Sequence, residues 1–267
     1  MPGKTQTLRP KTFNVMVSSK ARPAHGHWIE YLVDSITILM NIFFIIGCYC
    51  FESSSNSVYA FGDWLFIIAC IVNAVITIND FIEALHKKNI MNSAGRDEIL
   101  ETGFFVLANV LFAVGCVFFL PGVKYLEKFY YTASAIGAWL CILGSFGLLY
   151  GTFYTAICFE HEPDDSQLDP ETRERCRQLT KMNINATLIG SALFLVGSFM
   201  YRPIFGGLCP PRSTASVCEA VSNYGTKCYL YGSYLFFVAS IFALMTTYLK
   251  HTNSQAKHPT ETAKLMP

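Results

Sequence analysis

Charge is scarce in this chain: Asp, Glu, Lys and Arg make up 15% of its 267 residues, where a soluble domain carries about a quarter. So little polar surface excludes a soluble domain of ordinary size. Histidine is also scarce, with six copies spread through tails and loops. That dispersal argues against a metal site, and His25-Gly26-His27 reads as a solvated pair on a tail. The chain has no Gly-rich phosphate loop, HExxH helix, nucleophile elbow or haem-attachment motif. Glu160-His161-Glu162 could move protons, but no nucleophile stands near it in sequence. No basic, aromatic-rich stretch suggests nucleic acid. The expectation is therefore a protein that is not an enzyme, with no cofactor, metal or nucleic-acid partner.

Apolar residues are what the chain has: 52% of it is hydrophobic, with 22 Phe and 14 Tyr. Runs long enough to cross a bilayer fall at 31–50, 60–80, 102–121, 131–157, 184–204 and 228–249. The expected fold is an all-α integral membrane protein, six transmembrane helices forming three similar antiparallel hairpins between tails at 1–30 and 250–267. Lys and Arg divide 15 against 5 between the tails with even-numbered loops and the odd-numbered loops. The positive-inside rule then puts both termini in the cytosol. The first run is too long for a signal-peptide core and reads as a retained anchor. The preceding tail lacks acids up to Glu30, as transit peptides do, but Pro2, Pro10 and Pro23 interrupt the amphipathic helix that targeting needs.

One nine-residue pattern recurs in all six runs: small–x–x–apolar–x–x–aliphatic–small–Ser/Cys. It appears at 62–70, 108–116, 137–145, 190–198 and 232–240, and at 40–48 with Met first. Small residues seven apart share a helix face, and in lipid such faces let backbones approach closely. Gly137, Gly144, Gly190, Gly197 and Gly232 hold these places, and Gly147 and Gly151 add a second close-approach motif to the fourth run. The small residues are expected at one common level in all six helices.

Gly190-Ser-Ala-Leu-Phe-Leu-Val-Gly-Ser198, followed by Tyr201-Arg202-Pro203-Ile204, resembles the YrhK-like domain of small membrane proteins, and 137–145 and 232–240 are similar. The resemblance implies a hydrophobic helical-hairpin module and carries no activity.

Cys209, Cys218 and Cys228 cluster in the fifth loop, on the side assigned as outer, where disulfides persist. A bridge from Cys209 to Cys218 or Cys228 is expected, with Cys48 or Cys50 as other partners. The one sequon, Asn185-Ala186-Thr187, falls at the cytosolic start of the fifth run and should be unused. Asp169-Pro170-Glu171 signals a helix start, extending the fifth helix from about Pro170, with Glu171 and Arg175 one turn apart.

The first two runs carry a polar stripe: Asp34, Thr37 and Asn41 on one, Asn73, Thr77 and Asp80 on the other, with Asn109 at similar depth on the third. The two spacings are mirror images, which would set Asp34 level with Asp80 and Asn41 level with Asn73. Polar groups in hydrocarbon are costly unless they meet one another, backbone or water. Two functions follow. The leading one is structural: an assembly or helix–helix interaction protein whose partners are the bilayer and other membrane subunits or further copies of itself. The alternative is a small cation- or proton-linked transporter or channel using the stripe. Few polar residues stand in runs five and six, which favours the first. Free thiols in the secretory pathway oxidise, so the expected bridge favours the plasma membrane or secretory-pathway membranes over the mitochondrion.

Overall fold

A computed structural model describes residues 12–14, 17–19, 27–53, 55–86, 93–120, 130–160, 168–201 and 215–257. Six long helices dominate: α1 (His27–Phe51), α2 (Asn56–His86), α3 (Ser93–Val117), α4 (Tyr130–Glu160), α5 (Pro170–Met200) and α6 (Ala215–Lys257). All six contain stretches long and apolar enough to span a membrane, with mean hydropathy from 1.4 to 2.2. Before them a short antiparallel pair, β1 (Thr12–Asn14) and β2 (Val17–Ser19), pairs Thr12 with Ser19 and Asn14 with Val17.

The helices are apolar outside and polar inside. Leu39, Ile46, Trp64, Val75, Trp139 and Ile189 are among the exposed large side chains. Of the eleven largest side chains that are almost completely buried, ten are Asn, Thr or Asp and only Ile142 is apolar. Water would drive the opposite arrangement, so a lipid surrounding is the environment this surface fits. The protein is a polytopic, all-α membrane protein.

Each helix packs against its sequence neighbours, and α1 closes on α6 to complete a ring. Glu30 on α1 meets His251 on α6 at 2.7 Å, and Asp169 before α5 accepts from Asn253 on α6 at 2.6 Å. The starts of α1 and α5 and the end of α6 therefore share one end of the ring, called here the termini end.

One local feature agrees with the expected boundaries and two depart from expectation. First, α5 is one unbroken helix from Pro170: the Asp169 side chain accepts from Thr172 N at 2.9 Å and proline fills the first turn. This is the extension expected from about Pro170; 184 marks only where the apolar run begins. Second, α6 is 43 residues long, about 65 Å at 1.5 Å per residue, and its helix takes in Cys218 and Cys228, assigned above to a loop. Third, the hairpins do not share a register. Glycine at the eighth place of the pattern meets glycine at the first in α1–α2 (Gly47 with Gly62) and α3–α4 (Gly115 with Gly137). In α5–α6 the eighth-place Gly197 meets Gly225 instead, and Gly190 meets Gly232. The third hairpin is thus slid by one heptad, about 10 Å, against the common level expected. Gly225 supplies an equivalent small site seven residues earlier, and two bonds hold the shifted register: Ser198 to Tyr229 at 2.6 Å and Tyr201 to Thr226 at 2.5 Å.

Close approach is tightest at Gly47 and Gly232, where an added Cβ would lie 2.6 Å from the Phe66 and Phe194 rings. In the fourth helix Gly144 lies against Phe112, Gly147 against Ala108 and Gly151 against Phe105, all on α3.

No disulfide joins the cysteines whose side chains are described. Cys228, Cys48 and Cys50 are free thiols, so the bridges expected among them are absent. Cys48 is instead buried at 3.9 Å from the Ser233 hydroxyl. Cys209 lies outside the described residues, and Cys218 is described only in its helical backbone.

Candidate functional site

The recurring pattern determines what faces the ring's interior. Its seventh place is exposed in every helix: Ile46, Ile68, Val114, Leu143, Val196 and Val238. Its fifth place is buried in every helix, and five of the six are Phe: Phe44, Phe66, Phe112, Phe194 and Phe236, with Cys141 the sixth. Position five was read as unrestricted, although the phenylalanines stand plainly in the sequence. Position two is also buried throughout, and five of six are polar: Asn41, Asp63, Asn109, Ser191 and Ser233.

These places form a septum across the ring. The Phe194 ring centroid lies 5.8 Å from Phe112, 6.2 Å from Phe44, 5.0 Å from Phe236 and 4.8 Å from Tyr229. Phe66 joins through Phe44 at 4.8 Å. Offset and edge-on aromatic pairs at such spacings attract beyond their buried area. Side chains from five helices thus meet across an axis that the helices themselves do not fill.

On the termini side of the septum lies a polar interior. All seven residues of the expected stripe are buried: Asp34, Thr37, Asn41, Asn73, Thr77, Asp80 and Asn109. They are not mirror-paired as expected. The Gly47–Gly62 contact makes Asn41 level with residue 68, so Asn73 sits five residues, about 7 Å, nearer the termini end. Nor does α1 turn its stripe on α2 alone: Asn41 Nδ2 donates to the Phe236 carbonyl on α6 at 3.2 Å, and Asp34 lies beside Thr247 of α6.

The stripe is not confined to the first hairpin either. Buried Glu98, Glu101 and Thr102 come from α3, Thr152 and Thr155 from α4, Thr180, Asn183 and Thr187 from α5, and Thr246 and Thr247 from α6. This overturns the expected scarcity of polar residues in the fifth and sixth helices. Thr180, Asn183, Thr187 and Ser191 follow the same three-and-four spacing as the first stripe. The apolar run begins at 184, inside that series.

Eight of these threonines (Thr37, Thr77, Thr102, Thr152, Thr155, Thr180, Thr187 and Thr246) donate to a carbonyl four residues back in their own helix. Such bonds satisfy a hydroxyl without tying helices together. One of them, Thr155, also reaches across, donating to Glu101 Oε1 at 3.1 Å.

On the other side of the septum is a cavity of about 40 Å³. Buried Asp63, Cys116, Cys141, Phe112 and Tyr229 line its depth, and half-buried Phe51, Tyr59, Phe119 and Tyr201 surround it. The Cys116 and Cys141 thiols neighbour each other across α3–α4. Asp63 is 1% exposed, and its Oδ2 has no hydrogen-bond partner among the described residues. Asp63 stands alone in an apolar run rather than in a stripe, so no spacing in the sequence marks it as inward-facing.

No protein-family profile, curated protein or solved structure matches the chain.

Proposed function

We propose that the protein handles a small cation or proton across the membrane, and that this fold is its closed form. The observation that carries the reading is the polar interior: all six helices supply buried polar side chains to it, four of them the carboxyls Asp34, Asp80, Glu98 and Glu101. Ionisable groups inside membrane proteins are costly and mark ion or proton paths more often than they serve as scaffold. The septum around Phe194 blocks that path, as hydrophobic constrictions do in closed pores. A structural or assembly role would use these groups to bind helix to helix, yet most of the hydroxyls bond to their own backbone. The 15-to-5 bias of basic residues supports placing the termini end in the cytosol.

Flux into proteoliposomes tests the reading, with a pH-sensitive dye and a potassium-sensitive dye trapped in separate preparations. Wild-type protein should dissipate one of the two gradients faster than empty vesicles. Asp80→Asn should slow that flux while leaving the helical content unchanged. Phe194→Leu, which narrows the septum but keeps an apolar core residue, should speed it. Identical traces from all three proteins and from empty vesicles would remove the proposal and return the field to an assembly role.

A further inference from the structure

We infer that the cavity beside Asp63 is a binding site for a small organic ammonium ion, such as a methylated amine or an amine head group. This goes beyond transport, because binding here requires no flux. A carboxylate almost completely buried, with an oxygen lacking any partner among the described residues, is costly to keep. A cation brought by a ligand would offset that cost.

The walls select the kind of cation. Metal ions of the alkali and alkaline-earth groups need several oxygen ligands. Here the phenol oxygens of Tyr229 and Tyr201 are already engaged, by Ser198 and Thr226, and no group of three His, Cys, Asp or Glu able to hold a metal occurs among the described residues. What the cavity does offer is one carboxylate surrounded by aromatic rings. Aromatic faces attract organic ammonium ions through the ring quadrupole, and such cages recognise methylated amines. The cavity's 40 Å³ corresponds to about three or four water-sized atoms at ~10–15 Å³ each, the size of dimethylammonium to trimethylammonium. Half-buried Phe51, Tyr59, Phe119 and Tyr201 form its edge, toward the end of the ring opposite the termini.

Isothermal titration calorimetry on the full-length protein in detergent tests this with trimethylammonium chloride. Potassium chloride at equal concentration controls for ionic strength, and 2-propanol is a neutral probe of similar size. The wild type should bind trimethylammonium saturably and neither control. Asp63→Asn should weaken binding about tenfold or more, since the carboxylate supplies the only full charge in the cage. Without ligand it should melt within a few degrees of wild type, because an unliganded buried carboxyl takes up a proton; that result also shows the variant is folded. Phe66→Leu, which removes one ring and leaves the charge, should weaken binding less. Equal heats from trimethylammonium and 2-propanol, or unchanged affinity in folded Asp63→Asn, would overturn the inference. Binding without any flux in the proteoliposomes would uphold this site and remove the transport proposal; flux without binding would do the reverse.

Discussion

The two halves of this bundle are built from different materials. At and beyond the septum the helices meet through glycine pairs and stacked rings: Gly47 with Gly62, Gly115 with Gly137, Gly197 with Gly225, and Phe194 among its four aromatic neighbours. Toward the termini the buried residues include threonine, asparagine and acids beside apolar contacts such as Gly151 on Phe105, and most of the threonines bond to their own helix. Lipid gives no hydrophobic force to press helices together, so packing contact and interhelical hydrogen bonds hold them. The far half is rich in the first; the termini half holds the carboxyls and most of the buried threonines. Stability should therefore reside in the far half, and freedom to rearrange in the termini half, where the carboxyls are.

The largest effect should come from the septum. Phe194→Ala removes the ring on which α1, α3, α5 and α6 converge, and large-to-small changes of Phe in a packed core cost about 3–5 kcal/mol. Reversible unfolding in mixed detergent micelles should show a loss of that size. If the loss is under about 1 kcal/mol, as for an ordinary half-buried side chain, the far half does not hold the bundle and the contrast fails.

The sequence disclosed this contrast unevenly, for physical reasons. Six apolar runs and the Asp169-Pro170 start were legible because span length and capping chemistry are local. The septum was present as Phe44, Phe66, Phe112, Phe194 and Phe236 at one place of the repeat, but an apolar residue among apolar residues gives no contrast until the inward face is known. Thr180 and Asn183 stand in the helical extension ahead of the apolar run, about four turns long, where a polar residue gives no sign of facing inward. The heptad slide of α6 depends on which of two glycines, Gly225 or Gly232, meets Gly197, and spacing permits either. Asp63 was visible as a charge but not as an inward one.

A middle-sized effect should separate cross-helix bonds from local ones inside the polar half. Asn41 donates to a carbonyl of α6, near the place where the ring closes. Interhelical side-chain bonds in membrane proteins average about 0.6 kcal/mol and reach about 1.7. Asn41→Ala should lie near the upper figure, because its cavity adds to the lost bond, and it should weaken the α1–α6 seam specifically, seen as faster hydrogen exchange along α1.

The smallest effect is the sharpest test. Thr152 is fully buried, and its hydroxyl donates to the Leu148 carbonyl on the same helix at 2.8 Å. That carbonyl stands inside the helix, where it already accepts from the backbone N–H four residues on. Valine has the same shape and asks for no hydrogen bond, so Thr152→Val removes both the donor and its need. Replacing a locally satisfied hydroxyl in this way should change unfolding free energy by less than about 0.5 kcal/mol in either direction. A small gain in stability with a loss of flux would assign Thr152 to the path rather than to the scaffold. A loss above about 1 kcal/mol would mean that the hydroxyl braces a neighbouring helix, and the termini half would then be held by its polar groups after all.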